Sequence, residues 1–162
     1  TPVDPAAAPA TGDNPVFATE EDRLAETRKA LGAVNSGAAS EIANLYLAEL
    51  ALESENDVEA ASKAWDKYLE GNSDNLMAMW VRVNQIQLER ETGDQAALAE
   101  SLRLELERAD RDLPEDVLLY ELARTYDALG QTDDAIERYQ QILDEYPSSP
   151  FVADARRATT SA

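Results

Sequence analysis

Carboxylates are the reactive side chains this chain holds in quantity. Asp and Glu number 33 against 14 Lys and Arg, a net charge of −19 over 162 residues, and there is no His and no Cys. Without His or Cys there is no imidazole general base, no thiolate nucleophile and no zinc ligation through either residue. Two carboxyl groups do acid–base work when they converge in a cleft with separated pKa values. The adjacent acids here, Asp133 with Asp134 and Glu20, Glu21 with Asp22, stand instead at the starts of predicted helices, where the helix dipole favours negative charge. Calcium binding needs alternating oxygen ligands in a loop closed by a Glu. Residues 71–75 read GNSDN but lack the rest of such a loop, and read as a helix end and turn. No glycine-rich phosphate loop, serine elbow or dinucleotide fingerprint occurs. The sequence therefore offers no catalytic residue, no metal ligand and no cofactor site, and the expectation is a chain that is not an enzyme.

The same acidity repels phosphate backbones and anionic headgroups, so neither nucleic acid nor direct membrane contact by this domain is expected. No stretch is apolar for long enough to cross a bilayer. At 44% apolar the chain can still build a core of moderate size. Beyond Thr19 it is rich in Ala, Leu, Glu and Arg with few β-branched residues, which predicts an all-α fold. Residues 1–17, TPVDPAAAPATGDNPVF, hold most of the seven Pro and show no helical periodicity. They read as a flexible Pro/Ala-rich tether.

The positioning elements come next. Leu119, Leu122 and Tyr126 recur at three- and four-residue spacing and share one helix face, with Ala123 small where a second helix crosses. Gly130 ends that helix and Thr132 is the expected N-cap of the next, which turns Ala135, Tyr139 and Leu143 back onto the first. Pro147 stops it. The interhelix turn recurs at Asn56, Gly93 and Gly130, 37 residues apart both times. The second-helix anchors keep that offset in Ala61, Leu98 and Ala135, in Trp65, Leu102 and Tyr139, and in Leu69, Leu106 and Leu143. A fixed offset of this kind is an internal repeat. Two sources of extra length are visible: an extended connection from Ala109 to Pro114, and first helices whose apolar stripe slips by one residue. Thr19 opens a flanking helix, residues 34–40 read as a loop, and Ser149 caps a final helix with Pro150 at its first position. Phe151, Val152 and Ala155 are then available to cover the last hairpin. Trp65 and Trp80, at helical spacing from Ala61 and Val83, read as core.

Leu119, Leu122, Ala123, Tyr126, Gly130, Ala135, Tyr139 and Pro147 together resemble a tetratricopeptide repeat, at the spacing of its consensus. The expected fold is an all-α, tetratricopeptide-type helical-hairpin solenoid of about three repeats plus flanking helices, about eight helices in all. The tether covers residues 1–17 and the repeat domain 18–158, with repeats at roughly 40–73, 75–110 and 114–147 and a capping helix at 149–158. Residues 19–157 are similar to bacterial envelope proteins of the YfgM-like group, and the run DEYPSSPFVADARR at 144–157 is also similar to the Tol-Pal-associated repeat proteins. That resemblance implies a periplasmic helical-repeat domain behind an N-terminal membrane helix, ancillary to the SecYEG translocon. The implied anchor would lie before Thr1; the alternative location is cytoplasmic.

The resemblance also implies a function. The first helices of such repeats line a concave groove that takes a protein or peptide partner. By register its candidates are Asn44 and Tyr46 in the first repeat, Asn84 and Gln87 in the second, and Tyr120, Arg124 and Asp127 in the third. Repeats that clamp a C-terminal carboxylate resemble one another in groove Lys and Arg, and Arg124 alone does not make that clamp. The competing expectation is a self-associating structural module of a larger assembly.

Overall fold

The computed structural model describes residues 17–160. The expected tether, but for Phe17, lies outside them. Eight helices make up the described residues: α1 (Glu20–Gly32), α2 (Gly37–Glu55), α3 (Val58–Gly71), α4 (Leu76–Thr92), α5 (Gln95–Glu107), α6 (Glu115–Ala128), α7 (Thr132–Glu145) and α8 (Val152–Thr160). The all-α class and the helical-hairpin organisation are those expected, and the three turns fall at Asn56, Gly93 and Gly130. Where the sequence suggests one repeat domain over 18–158, the chain packs as two compact units that divide within α3, after Ala61.

In the first unit α1 packs on α2. Thr19 caps α1 as expected, its hydroxyl accepting from the Asp22 amide at 3.0 Å. Glu20, Glu21 and Asp22 fill the first turn. α1 buries no residue fully, so surface pairs such as Lys29 with Glu26 add at most a few tenths of a kcal/mol to it. The loop expected at residues 34–40 is shorter. Ser36 takes the extended N-cap conformation and α2 begins at Gly37, because the Ala residues that follow favour helix. Ala43, Ala48 and Ala51 are buried. Asn56, left-handed at φ 51°, closes α2 with its N–H on the Ala51 carbonyl, a conformation Asn tolerates better than most residues.

The second unit is held by two apolar clusters that meet at α6. One joins Leu98, Ala99 and Leu102 of α5 to Leu118 and Leu122 of α6, with Leu113 of the connection; Met79, Val83 and Ile86 of α4 pack against it. The other joins Leu119 and Ala123 of α6 to Ala135, Tyr139 and Ile142 of α7 and Ala155 of α8. Consecutive leucines therefore face opposite neighbours. Each fully buried leucine contributes about 2 kcal/mol through area removed from water. Ala123 and Ala135 are completely buried, as close helix approach requires. Phe151 and Val152 cover the end of the α6–α7 hairpin. Ser149 accepts from the Phe151 amide at 3.2 Å, but the helix it introduces begins at Val152 rather than at Pro150.

Two further expectations are corrected. Thr132 is the first helical residue of α7, and Gln131 holds the cap position. Gly130, at φ +73°, gives its N–H to Asp127 O, and Gln131 gives its own to Tyr126 O at 2.9 Å. These are the paired bonds of a glycine helix terminus. The turn is so tight that Gln131 closes α6 and opens α7 at once, leaving Thr132 no room to cap. Trp80 is not core: it is 51% exposed. Ala78 and Val81 are the fully buried residues of that stretch, and Trp80 lies about 200° around the helix from Ala78.

The two sources of extra repeat length are both present, at different places. α4 runs for 17 residues against 14 for α6, three more. The α5–α6 connection, residues 108–114, is extended and anchored by buried Leu113.

Candidate functional site

α6 has little surface left. Leu118, Leu122, Leu119 and Ala123 are spent on the two clusters, and Glu121 and Thr125 are buried as well. One strip still meets solvent, and it carries Tyr120, Arg124 and Asp127, three of the seven residues expected in the groove. They line one cleft of about 430 Å³ with Arg90 and Glu91 of α4, Gln95 of α5, Ala128, and Tyr139 of α7.

Each wall is locally fixed. The Tyr120 ring stacks on Phe151 at 4.1 Å and 11°, and its hydroxyl donates to Asp154 at 3.1 Å. Burial, reinforced by that carboxylate, pushes the Tyr120 phenol up. Asp154 is held below the usual carboxylate range by its hydrogen bond from Arg157, then by the one from Tyr120. The Arg124 guanidinium sits over the Tyr120 ring, 5.8 Å from its centroid, within cation–π range. Tyr139 donates to Asp127 at 2.9 Å, and burial first, then Asp127, drives its phenol well above the ordinary range. Both phenols thus remain neutral donors throughout the physiological range.

Beneath the strip lies an ion pair that sequence reasoning missed. Arg90 Nη1 donates to Glu121 Oε2 at 2.7 Å, to Glu121 O at 3.3 Å and to Thr125 Oγ1 at 3.5 Å. The two side chains are 7% and 2% exposed. Gln95 Nε2 donates to Arg90 O at 2.8 Å, joining the start of α5 to the end of α4. The available signal was weak: Glu121 stands between two residues of the apolar stripe, on a helix buried along both flanks.

The other candidates fall differently. Asn84 and Gln87 are half-buried on α4 but do not line the cleft, to which α4 contributes Arg90 and Glu91. Asn84 is tied back to its own helix through Trp80 O at 2.7 Å. Asn44 is buried at 5% exposure and is withdrawn as a groove contact, since its position falls among the small buried residues of α2. Tyr46 is exposed in the first unit and borders a shallow depression between α1 and α2. Residues 71–75 are the end of α3 and the turn into α4, where Asn75 accepts from the Ala78 amide at 2.8 Å. Among the described residues no group of three or more acidic side chains is gathered as a metal site.

The tetratricopeptide repeat family model matches residues 117–149, the segment from α6 through α7. The last hairpin is therefore a tetratricopeptide repeat, and with the helices around it this supports a tetratricopeptide-repeat protein. Such repeats are protein–protein interaction modules. Neither a curated protein nor a solved structure matches the chain.

Proposed function

We propose that this chain is a non-catalytic scaffold that holds a protein or peptide partner in the cleft lined by Tyr120, Arg124 and Asp127. The carrying observation is that α6, buried on both flanks, leaves to solvent one strip of an aromatic, a cation and a hydrogen-bonding carboxylate. Aromatic and arginine side chains of this kind supply most of the energy in protein interfaces. We place the scaffold in the bacterial envelope, most like the YfgM group, with the domain on the periplasmic side of an anchored protein. The Pro/Ala-rich residues 1–17 and the closing run at 144–157 support that placement. The competing reading, self-association, draws on exposed Leu76, Met77 and Trp80 at the start of α4.

Affinity capture by the full chain tests the proposal. The expected result is an envelope protein that is lost from an Arg124→Glu variant of unchanged melting temperature, since Arg124 is exposed and outside both apolar clusters. Retention of the partner by that variant contradicts the cleft assignment, and exclusively cytosolic partners contradict the location. Sedimentation should find a monomer at all concentrations; concentration-dependent growth would favour self-association.

A further inference from the structure

We infer that the cleft recognises an aspartate or glutamate side chain from within the partner's segment, held between Arg90 and Arg124. The inference rests on the cleft being the partner site. Arg90 meets its protein acceptors through Nη1 alone. Among the described residues no buried side-chain nitrogen or oxygen lacks a hydrogen-bond partner. Nε and Nη2 of Arg90 therefore each keep a little solvent-accessible surface, and Arg90 is one of the residues that line the cleft. Arg124, which lines the same cleft, has a ring contact with Tyr120, acts on Asp154 through space and, among the described residues, makes no direct ion pair. In a chain of net charge −19, a cation with no carboxylate in direct contact is an open position.

The two arginines are also preorganised. Arg90 is locked by Glu121 and nine-tenths buried, and Arg124 rests on a Tyr120 ring that is itself stacked and hydrogen-bonded. A carboxylate accepting from two fixed guanidinium groups gains charge-assisted hydrogen bonds at small entropic cost. Glu91 and Asp127 also border the cleft, but both are exposed, and rim charges of that kind contribute little affinity. Their role follows from position: each wall carries one arginine and one carboxylate. A residue inside a segment has peptide N–H groups on both sides for those carboxylates to accept. A chain terminus has them on one side only, so the internal side chain is the better fit.

Selection from a random linear peptide library against the full chain, with binding followed by calorimetry, provides the test. Binders that weaken on Tyr120→Ala define the cleft. Within them, replacing one internal Glu or Asp by its amide should cost about tenfold or more in affinity. Arg124→Gln should cost a similar factor, and the two changes together no more than either alone. C-terminal amidation should have no effect. Cleft binders that need no carboxylate, or that respond to amidation instead, overturn the inference and leave the proposed function standing. An absence of Tyr120-dependent binders overturns both.

Discussion

The α4–α5 and α6–α7 hairpins turn at positions 37 residues apart, Gly93 and Gly130, yet they reach that turn by different physics. α6 ends on a left-handed glycine whose neighbouring amides close the helix. α4 ends on Gly93 in an extended conformation, with Asp94 capping α5 through the Ala96 and Ala97 amides. α6 is apolar on two flanks, because it has a hairpin partner on one side and the preceding repeat on the other. α4 is three residues longer and ends in a buried arginine whose counterion belongs to α6. One hairpin carries its stability within its own consensus positions. The other borrows part of it through a charge pair. What is preserved between them is the location of the turn, which fixes where the next helix lies; helix length and terminus chemistry are free to vary around it.

The largest effect that breaks this contrast comes from the shared pair. Arg90→Ala leaves Glu121 buried without a counterion, and thermal or denaturant unfolding should register a loss of about 3–5 kcal/mol. Arg90→Met with Glu121→Leu removes both charges and should recover most of it. If Arg90→Ala costs nothing, Glu121 reaches water and the two hairpins are not coupled through it.

A smaller effect separates the two glycines. A Cβ at Gly130 meets nothing within 4 Å, so Gly130→Ala carries only the cost of positive φ, about 1 kcal/mol. Gly130→Asn should recover part of that, since Asn tolerates the left-handed region. At Gly93 a Cβ would come within 2.9 Å of the Glu89 carbonyl oxygen, so Ala and Asn should both destabilise, and Asn should give no relief. Melting temperatures of the four variants decide it. An asparagine rescue at position 93 would mean that the two turns work alike.

How much of this was legible in the sequence follows the same division. Gly130, Ala123, Ala135 and Pro147 are demanded by backbone geometry or close approach, and their residue types announce it. The turn spacing carried those requirements back to Gly93 and Asn56 and located the helices. Trp80 reads as core from its spacing yet is exposed, because helical spacing gives the neighbours of a residue but not which face the rest of the fold leaves open. Asn44 shows the converse: a polar residue type does not mark a solvent-facing position on a helix that buries small residues around it. The Arg90–Glu121 pair was illegible because its partners lie 31 residues apart, and nothing local to either calls for the other. That Tyr120, Arg124 and Asp127 share one strip was legible because their spacings of four and three residues keep them on one face of a helix whose other faces are buried.

The central claim is that this strip is where a partner protein docks. A photo-crosslinking amino acid placed at exposed Ala128, which lines the cleft without any proposed contact of its own, in the full chain and illuminated in its native cells tests it most directly, with the same residue at exposed Arg103 on α5 as control. The account predicts a protein adduct from position 128 and none from position 103. Adducts from position 103 alone, or from neither site while the partner is still captured by the unmodified chain, would contradict it.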